Sequence, residues 1–158
     1  MIVAVADTHA AIWYLFSDPR LGRAASAFID DTIAKGNHIG VSAITLAEMV
    51  YLVEKARIPA NALYDLHTAI ADPKSVLQHI PADETVAMKM TEVSRQDIPD
   101  LPDRVIASTA YLRGIPVLSR DRAIRSSTLT VGARRWGGHG GDPAFRVTNG
   151  ATQPVTRL

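Results

Sequence analysis

Cysteine is absent from the 158 residues. That excludes disulfides, thiolate metal sites and a cysteine nucleophile, and it fits a reducing compartment. No apolar run approaches the roughly 18 residues that span a bilayer. A charge arrives at Asp7, too early for the apolar stretch of a signal peptide. The expectation is a soluble, cytoplasmic protein with no membrane attachment. Lysine disappears after Lys89, and only five histidines are spread along the chain. What is present is 47% hydrophobic residues, enough to bury the core of one compact domain and too few positions for two.

A net charge of +1 conceals an uneven distribution. Residues 1–103 hold 8 Lys/Arg and 14 Asp/Glu, whereas residues 104–158 hold 9 basic and 2 acidic residues. All nine of those basic residues are arginine, whose planar fork suits phosphate. On charge alone, a polyanion contact and an ordinary soluble surface are equally good readings.

Strand and helix signals alternate. Ile2 to Ala6 is a short apolar run that reads as a buried strand ending at Asp7. A helix is expected over 8–16, and a second from Pro19 to about Ala34. His38 to Val41 reads as a strand, with Ser42 as the cap of a helix over 43–55. Pro59 opens a helix to Ala71, 76–80 is a third strand, and Asp83 caps a helix through Val93. Asp100 caps a helix over 101–113 that stops at Gly114. Residues 115–119 form a fourth strand, a short helical turn follows Asp121, and 129–131 is a candidate fifth strand. This alternation predicts an α/β fold in which a central parallel sheet of four to five strands is covered by helices on both faces. The domain is expected to span residues 1–136. The Gly-rich polar segment 137–158 reads as a flexible tail.

Ligands of such sheets bind beyond the carboxyl ends of the strands. Asp7 and Asp121 lie at two strand ends, Glu48 about two turns into its helix, and Asp103 in the first turn of its own. Each has a plain structural explanation as well. Asp7 could cap a helix, Glu48 could be a solvated helix residue, Asp100 and Asp103 could form a capping pair, and Asp121 could start a turn. Their joint placement favours one cleft. Carboxylates gathered there repel unless a cation joins them, and oxygen-only ligands select Mg²⁺ or Mn²⁺. Such an ion activates water and offsets charge on a scissile phosphate. Only His9 stands near that cleft, so histidine-based zinc chemistry is disfavoured. Arg104, Arg120 and Arg122 flank the acids in sequence, as phosphate contacts or as surface ion pairs.

Four segments resemble the PIN-domain ribonucleases, and more closely the VapC-like toxins of toxin–antitoxin pairs. They are Val5-Ala6-Asp7-Thr8, Ser42 to Glu48, Asp100 to Ala107 and Leu118-Ser119-Arg120-Asp121. They occur in the family's order and cover residues 1 to about 136. The resemblance implies a three-layer α/β/α domain with metal-site roles for Asp7, Glu48, Asp103 and Asp121. It makes Thr8 and Ser119 supporting hydroxyls and Asp100 a further acid. It implies RNA as substrate, a homodimer, and a small antitoxin that places a basic side chain among the acids. Pro102 departs from the family pattern, as does the segment after Trp136.

Two other classes fit less well. An aspartyl-phosphate enzyme wants a second Asp two residues after the first, where this chain has His9. A signal receiver wants a lysine near its last strand, and none follows Lys89. A non-cutting scaffold that binds RNA or protein is the remaining alternative, and the full set of acids argues against it.

Overall fold

The computed structural model describes residues 1–121. Arg122, the expected turn after Asp121, the candidate strand at 129–131 and the segment 137–158 lie outside the described residues. β1 (Ile2–Ala6), β2 (His38–Ser42), β3 (Leu77–Ile80) and β4 (Val117–Leu118) form one parallel sheet in the order β3-β2-β1-β4. The helices are α1 (Thr8–Leu15), α2 (Arg23–Ala34), α3 (Ala43–Glu54), α4 (Ala62–Ala71), α5 (Glu84–Lys89) and α6 (Leu101–Arg113).

Side chains alternate across a strand, so one strand can feed two layers. In β1, Ala4 and Ala6 join Ile12, Ile29, Met49 and Leu66 from one set of helices, while Val5 joins Ile98, Ile106 and Ala110 on the other face. In β4, Leu118 and Val117 divide the same way. The sheet is therefore covered on both faces, as the apolar strand runs predict. No described helix is long and apolar enough to cross a membrane.

At Gly40 in β2, side chains of both neighbouring strands close over the backbone. A Cβ there would collide with Ile80 Cδ1, and would lie 2.9 Å from Ile80 Cγ1 and 3.1 Å from Ile2 Cγ2. Gly40→Ala is expected to cost about 1–3 kcal/mol through overpacking. The check is a lower urea midpoint with an unchanged slope. An unchanged midpoint would mean that Ile80 turns aside freely.

Several local expectations hold. Asp83 caps α5 through the amides of Thr85 and Val86, Asp100 caps α6, and Gly114 closes α6 in the left-handed region at φ 63°. Others are corrected. The helix expected from Pro19 is broken: Pro19–Leu21 is a 3₁₀ turn, and Gly22 at φ 81° turns the chain before α2 begins at Arg23. A positive φ lies outside the right-handed helix, which is why the break falls at glycine. α4 starts at Ala62 instead of Pro59, and α5 tightens at Met90–Glu92 into a 3₁₀ turn. Ser42 occupies the cap position of α3, but its hydroxyl makes no capping bond and is buried without a partner among the described residues.

α3 is apolar over most of its surface, as its sequence suggests. Met49 is fully buried, while Leu46 and Val50 line an apolar groove of about 390 Å³ with Leu63 and Tyr64 of α4. Glu48 lies about 160° around the helix from both, at 100° per residue, and so points away from that groove.

Candidate metal centre

β1 delivers Asp7 to the carboxyl edge of the sheet, where the residue is only 4% exposed. Ala6 pairs with Leu118, and the Asp7 amide donates to the Leu118 carbonyl at 3.1 Å. Strand pairing therefore sets Asp7 beside Ser119 and Asp121. Asp7 is also the cap of α1, with Oδ1 accepting from the Ala10 amide at 2.6 Å. The cap and the site are one residue, so the two readings of Asp7 do not compete.

Ser119 ties the two strand ends together. Its hydroxyl hydrogen-bonds the Asp7 carboxylate and its Oγ accepts from the Asp121 amide at 2.8 Å. Burial pushes the Asp7 carboxyl above its ordinary range. The Ser119 bond, the Ala10 amide and His9 oppose that shift, and Asp121 adds to it.

Thr8 joins α1 to α3. Its Oγ1 donates to Glu48 Oε2 at 2.6 Å and lies 3.4 Å from Thr45 Oγ1. Thr45 and Glu48 are one turn apart on α3, so the same face presents both to Thr8. Glu48 is consequently half-buried and aimed, unlike a solvated helix residue.

Asp103 lies in the first turn of α6, and its amide donates to Asp100 Oδ2 at 3.4 Å. Its carboxyl is pushed up to about 7. Burial is the largest cause, followed by the negative charges of Asp121, Asp100, Asp7 and Glu48. All five acids singled out from the sequence thus share one electrostatic neighbourhood, drawn from β1, α3, α6 and the end of β4. They are gathered but not closed: among the described residues, no three His, Asp or Glu side chains are arranged to hold an ion as they stand.

The arginines divide. Arg104 turns away from the acids, and its Nη2 donates to the carbonyls of Met90 and Val93, both at 3.1 Å. This corrects the sequence expectation of a phosphate contact or a surface ion pair. The side chain clamps the segment between α5 and α6 by bridging two of its carbonyls. Arg120 is exposed, and its Nη1 donates to the Arg20 carbonyl at 2.6 Å. Sequence reasoning missed the group around it: Trp13 lies under both Arg20 and Arg120 and against His9. The spacing of His9 and Trp13, one helical turn, was the only local signal for it.

Fold and site first define a class, an α/β protein with oxygen-only donors gathered beyond the ends of adjacent parallel strands. The PIN domain family model matches residues 4–127, and the chain belongs to that family. PIN domain proteins are nucleases that generally use divalent metal ions. Among solved structures, a chain in the crystal structure of VapBC2 from Rickettsia felis bound to a DNA fragment from their promoter is 19% identical. The match covers 82% of this chain and 95% of that one, with a TM-score of 0.59. At that identity the likeness is one of fold. No curated protein matches the chain.

Proposed function

We propose that this protein is a Mg²⁺- or Mn²⁺-dependent endoribonuclease, the cytoplasmic toxin of a toxin–antitoxin pair. The observation that carries the nuclease reading is the gathering of Asp7, Glu48, Asp100 and Asp121 around Asp103, which together with burial pushes its carboxyl up to about 7. Such crowding is costly in an ordinary surface cluster and suits a hard cation, so the donor set fits the ion. Asp7, Asp103 and Asp121 would hold it, with Glu48 acting directly or through water. Bound there, the ion supplies an activated water and offsets charge on the scissile phosphate.

The chain's own residues do the positioning. Ser119 fixes Asp7 against the Asp121 backbone, Thr8 orients Glu48, and Asp100 adds negative charge while capping α6. The shared fold with a chain of the VapBC2 complex supports the toxin reading, and with it a homodimer and an antitoxin that covers the acids.

The test incubates purified protein with structured RNAs and Mn²⁺ beside Asp7→Asn. Asparagine keeps an oxygen for the Ala10 amide, so α1 stays capped. The variant is expected to cut at least ~10²-fold more slowly, the scale of losing one charge-stabilising group. If wild type binds RNA and cuts none, the protein is a scaffold. If both cut equally, the acids are not the site.

A further inference from the structure

Two guanidinium groups share the indole of Trp13. The Arg20 Cζ lies 5.6 Å from the ring centroid and the Arg120 Cζ 5.9 Å, and the His9 ring packs at 5.6 Å, tilted by 43°. The arginines differ in what answers their charge. Arg20 gives its fork to Asp18, with bonds of 2.6–3.0 Å. Among the described residues Arg120 is in none of the ion pairs, and the acceptor it has there is a neutral carbonyl. It nonetheless stands between Ser119 and Asp121, both part of the acid site. A long, flexible cation next to a carboxylate cluster would ordinarily fall onto the acids. Here the indole and the Arg20 carbonyl hold it to one side.

We propose that Arg120, held by Trp13 and the Arg20 carbonyl, is a preformed anchor for an RNA phosphate neighbouring the one at the acids. Arg120 is the binding residue, and Trp13 is a positioning residue that acts through it. Arg20 spends its charge on Asp18 and contributes its carbonyl. The anchor sets the register of the strand: one phosphate on Arg120 leaves its neighbour beside Asp7 and Asp103. The proposal rests on the ribonuclease reading only for its choice of ligand.

Binding is measured without cleavage, in Asp7→Asn with EDTA, using a single-stranded RNA oligonucleotide of mixed sequence over a range of salt. Arg120→Ala is expected to weaken binding about tenfold at low salt. It should also lower the slope of log affinity against log salt by about 0.7, the share of one phosphate on a single strand. Trp13→Ala should reproduce both changes, the double variant should be no worse than either, and Trp13→Phe should retain most of the affinity. Replacing phosphates one at a time by neutral methylphosphonates should reveal one position that matters to the Asp7→Asn protein and not to Asp7→Asn/Arg120→Ala. An unchanged salt slope in Arg120→Ala, or additive losses in the double variant, overturns the anchor. Arg120-dependent binding in a protein whose wild type cuts nothing would sink the nuclease reading and leave the anchor standing. Normal cleavage with an unchanged KM in Arg120→Ala would do the reverse.

Discussion

Asp103→Asn should melt at a higher temperature than the wild type at pH 7.5 in EDTA, and should cut RNA at least ~10²-fold more slowly. The two effects have one cause. In the fold the Asp103 carboxyl keeps its proton up to about 7, whereas its ordinary value is 3.8. As pH rises from about 4 to 7 the unfolded chain has released a proton that the folded chain still holds, so stability falls across that window and stays low above it. At 1.36 kcal/mol per unit the shift sets an upper bound of about 4 kcal/mol, which solvent screening of this half-buried group reduces. Asparagine removes the charge that burial and the four acids oppose. A gain of even about 1–2 kcal/mol would raise the melting midpoint by several degrees in a domain of this size. The Asp100 cap survives, because it uses the Asp103 backbone amide. A variant no more stable than wild type would mean that the acids do not press on Asp103.

The second large effect is the pH dependence of stabilisation by metal. Carboxylates bind a cation only when deprotonated, so binding competes with the proton on Asp103 and with the raised Asp7. Mn²⁺ at a hundred times its dissociation constant for the pH 7.5 protein should add about 2.7 kcal/mol at that pH. The same concentration should add little at pH 5, where Asp103 holds its proton. Calorimetry near pH 7 in two buffers of different ionisation enthalpy should detect proton release on binding. Asp103→Asn should lose both the metal stabilisation and the release. Equal stabilisation of the wild type at the two pH values would rule these carboxylates out as the ligands.

What the sequence made legible was local. A strand that ends in an acid, an aspartate three residues before a helical amide and a glycine after a last turn are decided within a few residues, and β1, Asp83, Asp100 and Gly114 all behave as read. The three-layer architecture followed from apolar strands alternating with helices. The failures were also physical. Gly22 gave no sign that it would take a positive φ, and Ser42 is drawn into the interior by β2, away from the α3 amides. Arg104 follows Asp103 in sequence but leaves α6 toward the α5 side, where the carbonyls of Met90 and Val93 accept from it. The pairing of β1 with β4, and the meeting of Arg20 with Arg120 across 100 residues, are long-range results that no local pattern records. The gathering of the five acids was expected from the sequence, while their roles as ligands rest on the proposal.

β4 is the shortest of the described strands, with two paired residues beside the five of β1. The acids are therefore mounted on supports of very different depth. Asp7 leaves a five-residue strand paired with β2 and with β4, while Ser119 and Asp121 follow a strand of two residues. Local opening needs less free energy where few contacts hold a segment than in a long, well-packed strand. A transient fraying of Val117 and Leu118 would part Ser119 from Asp7 and carry Asp121 away while both cores remain packed. The lifetime of the working site and the lifetime of the fold are then separate quantities, and the two-residue strand sets the shorter one.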